Sequence, residues 1–189
     1  MNNDKSLVYI ALYAALIAAL GLLPKFNLVA VPITAQSMGI MLAGIMLGPV
    51  RGFLAVLLFV FVMTLGAPIL AGGRGGIGVY ATASVGFVIG FPFAALVSGL
   101  VMQNLPVRSV FPSALIAAIA GGIVVLYLFG IPGWAWTVGK DLLTVAKACL
   151  IFIPGDLIKA VLAAVIAQAI YKGMPEALLS RKRQRVPTL

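Results

Sequence analysis

Asp156 and Lys159, in the run Pro154-Gly155-Asp156-Leu157-Ile158-Lys159, place an acid and a base three residues apart in an otherwise apolar stretch. A carboxylate accepts N–H groups and an ammonium donates to carbonyl or carboxylate oxygens, so the two together suit a small polar ligand with an apolar body. One helical turn apart, they share a face and can neutralise each other. A plainer reading is an N-capping aspartate with a lysine that snorkels toward the headgroups. Pro154 and Gly155 are expected to end one segment and open the next helix, which sets both charges in a first turn where the helix dipole favours Asp156.

Two further stretches carry polar groups suited to binding. In Val31-Pro32-Ile33-Thr34-Ala35-Gln36 the proline biases Val31 toward extended structure, and Thr34 or Gln36 can cap a following helix while offering hydrogen bonds. A simple loop-to-helix start is the alternative. In Ala71-Gly72-Gly73-Arg74-Gly75-Gly76-Ile77-Gly78, five glycines within seven residues allow positive φ and close approach of backbone to ligand. Its amides can cradle an anion and Arg74 can pair with a carboxylate. The run lacks the Lys-Ser/Thr ending of a P-loop, and a flexible hairpin is its alternative reading. The candidate substrate-binding residues are Thr34, Gln36, Gly73, Arg74, Gly75, Tyr80, Asp156 and Lys159. No catalytic or metal-binding set emerges: the chain has no histidine and one cysteine, Cys149, which excludes imidazole metal sites, His-based triads and an internal disulfide.

The elements that must position these groups are membrane helices. Of 189 residues, 63% are hydrophobic and 9% charged, and mean hydropathy is +1.19. In soluble domains charged residues make up roughly a quarter of the chain. A charge at bilayer depth costs ~2.5–3.5 kcal/mol on insertion scales, so Asp156 and Lys159 need a reason to be there. The length fits a single transmembrane domain over residues 1–189, with a basic tail from about residue 172. Apolar runs bounded by glycine, proline and charge predict six spans, near Ser6–Leu23, Thr34–Leu47, Arg51–Gly66, Ala83–Gln103, Ser109–Phe129 and Gly155–Tyr171. The first is too long for a signal-peptide core and reads as a retained helix. The second is short and is expected to be tilted, broken or buried by its neighbours. Trp134-Ala135-Trp136 and Asp141–Ile153 read as an interfacial or re-entrant segment.

The net charge of +9 is unevenly placed. Lys5, Arg51, Arg108, Lys172 and the tail residues Arg181, Lys182, Arg183 and Arg185 fall on the side of the termini. Lys25, Arg74, Lys140 and Lys147 fall opposite. The positive-inside rule then predicts both termini in the cytoplasm and the polar motifs on or beside outward loops. Basic residues flanking membrane segments point to lipid headgroups rather than nucleic acid. On the first helix Ala11, Ala15 and Ala19 recur every four residues, a spacing that lets membrane helices approach closely. Packing within the bundle is the alternative use.

In order along the chain, Val31-Pro32-Ile33-Thr34-Ala35-Gln36, Leu42-Ala43-Gly44-Ile45-Met46-Leu47-Gly48-Pro49, Ala71-Gly72-Gly73-Arg74-Gly75-Gly76 and Pro154-Gly155-Asp156-Leu157-Ile158-Lys159 resemble the BioY family, the biotin-binding S components of energy-coupling-factor (ECF) transporters. The resemblance covers nearly the whole chain. It implies an all-α, six-transmembrane-helix bundle in a bacterial or archaeal cell membrane, which captures biotin at the outer face beneath the loops after helices one and three. It further implies that Asp156 and Lys159 supply polar contacts, and that the Ala11, Ala15 and Ala19 stripe docks on a transmembrane coupling protein driven by two cytoplasmic ATPases. No cofactor and no enzymatic activity are implied. The chain departs from the family at Thr82-Ala83-Ser84-Val85-Gly86-Phe87, where Gly-Pro-Thr-Gly-Gly-Tyr is usual, so contacts from the start of helix four do not carry over. The residues themselves leave open an S component for another vitamin or small molecule, a membrane enzyme, or a structural membrane subunit.

Overall fold

The computed structural model describes residues 3–23, 34–106 and 109–181. Lys25, the Val31–Ile33 part of the first polar motif, Arg108 and the tail beyond Arg181 lie outside them. Within the described residues the chain forms helices and turns, with one isolated bridge pair between Leu70 and Arg74. The helices are α1 (Asn3–Leu20), α2 (Gln36–Leu47), α3 (Pro49–Thr64), α4 (Val85–Asn104), α5 (Val110–Val138) and α6 (Leu142–Gly173). The last three are long and apolar enough to cross a membrane, whereas α2 and α3 are shorter apolar helices.

Two boundaries differ from the sequence expectation. Trp134-Ala135-Trp136 sits inside α5, which runs on through Pro132 to Val138. A proline costs a membrane helix little where neighbouring segments satisfy the freed carbonyl. The Asp141–Ile153 stretch is not a separate re-entrant segment: a 3-10 turn over Leu150–Phe152 joins it to the last helix in one 32-residue rod. Asp141 caps this rod by accepting a hydrogen bond from the Thr144 amide at 2.8 Å, which holds its carboxyl below the ordinary carboxylate value. Among the described residues there are six helices, because this segment extends a helix rather than adding one.

The short α2 lies at the centre. Ten of its twelve residues are buried, and it contacts each of the other five helices. Burial by its neighbours, the third of the expected fates for a short span, is what the fold provides. A core of Met41, Leu42, Ile45, Met102 and the alanines of α5 and α6 fills one side of it. Ile17, Ile40, Phe59, Met63 and Val88 fill the other. Gly48, at φ +84°, turns α2 directly into α3.

At that same end Leu179 packs on Leu47 and Ala55, with Tyr9, Ile10 and Tyr13 of α1 against them. Arg181 is buried and donates to the Ser113 hydroxyl, and Arg51 Nε donates to Ser6 Oγ at 3.2 Å. Arg181 is thus part of the packed bundle, although the sequence groups it with the basic tail.

Candidate ligand site

The glycine-rich loop between α3 and α4 is folded tightly by its backbone. Leu70 and Arg74 exchange N–H···O bonds of 2.9 and 3.0 Å around Gly72 and Gly73, which sit at φ +81° and +69°. Two consecutive left-handed positions favour glycine strongly, because a Cβ there crowds the following carbonyl. The turn points Arg74 inward. Its Nε donates to the Ala71 carbonyl and its Nη1 to Ser84 Oγ, both at 3.3 Å. Burial draws the guanidinium below its ordinary pKa, and it still carries its charge.

Gln36 fixes this loop to the bundle. Its side-chain amide donates to the carbonyls of Ile17, at 3.1 Å, and Ile69, at 2.8 Å, while its oxygen accepts from the Ala71 amide at 2.8 Å. One fully buried side chain therefore ties the end of α1 and the glycine loop to the start of α2. Thr34 accepts from the Gln36 amide at 3.3 Å just ahead of α2, whose N-cap position is Ala35 and carries no side-chain cap. Gln36 itself is a structural tie with no donor left over. Beside these residues lies a recess of about 40 Å³ walled by Thr34, Gln36, Leu70, Arg74, Ser84, Phe87 and Phe91. That is room for one small group such as a carboxylate.

The acid–base pair is formed as its spacing predicts. Lys159 Nζ lies 2.8 Å from Asp156 Oδ1, and it also donates to Ser37 Oγ at 3.2 Å. The Tyr127 hydroxyl, from α5, donates to the other oxygen, Asp156 Oδ2, at 2.7 Å. Helix extension means that Asp156 does not sit at a free helix end, so side chains rather than the dipole compensate its charge.

The two groups share a wall. Phe87 lines the Arg74 recess and meets Tyr127 edge to face, with ring centroids 6.4 Å apart. Their approach depends on Gly86 and Gly130, where a Cβ would run into the Phe129 carbonyl and the Phe87 ring respectively. Thr34, Gln36 and Arg74 thus gather at the recess, and Asp156 with Lys159 is linked to it through the Phe87–Tyr127 ring contact. Gly73 and Gly75 shape the loop that carries Arg74. Tyr80 stands apart, with its hydroxyl 2.7 Å from Thr64 Oγ1. Ser37, Ser84, Phe87 and Tyr127 are members that sequence reasoning missed. Ser84 and Phe87 belong to the stretch that departs from the family pattern, and Ser37 follows directly on Gln36. Ala11, Ala15 and Ala19 are exposed along α1, while Ala14 and Ile17 supply its buried face.

A protein-family model described as the BioY family matches residues 1–176. A relative named biotin transporter BioY from Rhizobium etli is 44% identical over 92% of this chain and 96% of its own length. One of the same name from Rhodobacter capsulatus is 42% identical over 94% of this chain and 99% of its own. Among solved structures, the S-component for biotin from an ECF-type ABC transporter superposes with a TM-score of 0.84 at 34% identity, covering 91% of this chain and 95% of that one. With a family match along nearly its whole length and the expected six-helix S-component architecture, this chain belongs to the BioY family.

Proposed function

We propose that this chain is the substrate-capturing S component of an ECF-type transporter and that its ligand is biotin. The observation that carries the reading is a division of charge. Lys159 is already neutralised by Asp156. Arg74 bonds only neutral oxygens, and no carboxylate among the described residues pairs with it. A ligand with one carboxylate at one end and a neutral donor–acceptor group at the other matches that pattern, and biotin is such a molecule. Its valerate carboxylate meets Arg74 in the recess, and its ureido group meets Asp156 and Lys159. An ionic hydrogen bond in a low-dielectric pocket is worth roughly 1.5–3 kcal/mol.

Uptake needs an energy source, and no Walker motif is present in the sequence. In this reading a transmembrane coupling protein and two cytoplasmic ATPases supply it, with Ala11, Ala15 and Ala19 as the docking stripe on exposed α1. Both termini lie in the cytoplasm. The basic residues gathered toward that side support this, and the packing of Leu179 in one cluster with Tyr9, Ile10 and Tyr13 supports both ends sharing one side.

Biotin titration of the detergent-purified chain by calorimetry, with desthiobiotin, thiamine and riboflavin as comparators, tests the reading. Saturable, biotin-selective binding supports it, and well-folded protein that ignores biotin sinks it. A second reading, an S component for another small carboxylate, is favoured by one fact: the atypical Thr82–Phe87 stretch contributes Ser84 and Phe87 to the recess wall.

A further inference from the structure

We propose that Tyr127 is a positioning residue for ligand capture, acting through Asp156 rather than by touching the ligand. The inference rests on the reading that Asp156 receives the ligand's N–H groups. The terminal torsion of an aspartate is soft and broad, so one bond from Lys159 on the same helix leaves the carboxylate plane free to swing. Tyr127 reaches across from α5 and holds Oδ2, while Lys159 holds Oδ1. Each carboxylate oxygen accepts two bonds, so one acceptor direction on each remains open, with the plane now fixed.

The fold has a device that brings Tyr127 to this place. Ala120–Val125 forms a π-helical turn within α5. Buried residues of α5 recur at Ala114, Ala118, Gly122, Leu126, Gly130 and Trp134, every fourth residue. In an unbroken α-helix such a row drifts by about 40° per step, and the wider π turn takes up part of the drift. The row keeps facing the bundle, and Tyr127, one residue past Leu126, faces α6. Its ring also abuts Phe87, which couples the Asp156 end of the site to the Arg74 recess.

The test measures biotin affinity for wild type, Tyr127→Phe, Asp156→Asn and the double variant. Phenylalanine keeps the ring against Phe87 and removes only the hydroxyl. The expected result is a tenfold to hundredfold weaker Kd for Tyr127→Phe in the wild-type background, and less than about threefold further change in the Asp156→Asn background. Because Asp156→Asn can push affinity out of range, the same four proteins are compared in ligand-free thermal unfolding. There Tyr127→Phe should lower the midpoint only when Asp156 is present. Wild-type affinity in Tyr127→Phe overturns the inference, and so do equal losses in both backgrounds or additive unfolding midpoints. Failure of wild type itself to bind biotin overturns the ligand reading and this inference with it, so the two failures are told apart.

Discussion

The Lys159 ammonium joins Asp156, three residues before it on α6, to Ser37, 122 residues earlier at the start of α2, at 2.8 and 3.2 Å. This contact crosses the bundle and holds the polar half of the site against the central helix rather than against lipid. Removing one member of a largely buried ion pair is costly because the other charge stays behind. Lys159→Met is expected to destabilise the protein by on the order of 3 kcal/mol. The double change Lys159→Met with Asp156→Asn should recover much of that loss, as read from thermal unfolding in detergent.

Arg74 is the cation assigned to the ligand carboxylate. Arg74→Gln should weaken biotin by roughly tenfold to a hundredfold and leave biotin methyl ester nearly unaffected, because the ester has no charge to lose. Calorimetric titration of both ligands against both proteins checks this. Equal losses for acid and ester would move the carboxylate elsewhere.

The loop that aims Arg74 has two glycines with different tolerances. Gly73 is at φ +69° with open space around it, so Gly73→Ala should cost only the backbone strain, roughly 1–2 kcal/mol. Gly75 has no room: a Cβ there runs into the Ala67 carbonyl. Gly75→Ala should therefore displace the loop and lose more biotin affinity than Gly73→Ala, measured side by side.

Under the proposed docking, the stripe on α1 separates capture from transport. Ala15→Leu adds bulk to an exposed position, so the isolated chain should fold and bind biotin as wild type does. Biotin uptake by cells or proteoliposomes carrying the coupling protein and ATPases should fall severely. Unchanged uptake would place the docking surface on another face.

Much of this site was legible in the chain because a few polar residues stand out against an apolar background. Asp156 and Lys159 pair at the spacing that put them on one face, and Arg74 sits where the glycine run allows the backbone to turn. What stayed hidden depended on neighbours. Tyr127 reads as one more aromatic in an apolar run, and only the π turn and the crossing of α5 with α6 bring it to Asp156. Gln36 looks like a ligand donor until the fold commits both its side-chain N–H groups to Ile17 and Ile69. Gly130, Pro132 and Gly133 look like breaks around the tryptophans. In the bundle the glycines are points of close contact with α4, and the helix runs through them.

The brevity of α2 gives the site its depth. Twelve residues rise about 18 Å, against ~30 Å of hydrocarbon in a typical bilayer. A lipid-facing helix of that length would have to thin the membrane or tilt, but a helix surrounded on all sides escapes the mismatch. Its Gln36 end can therefore stop below the headgroups, and the loop bearing Arg74 fills the gap above it. In the proposed reading, ligand captured there leaves bulk water for a recess between helices, where each ionic contact is screened far less than at a surface.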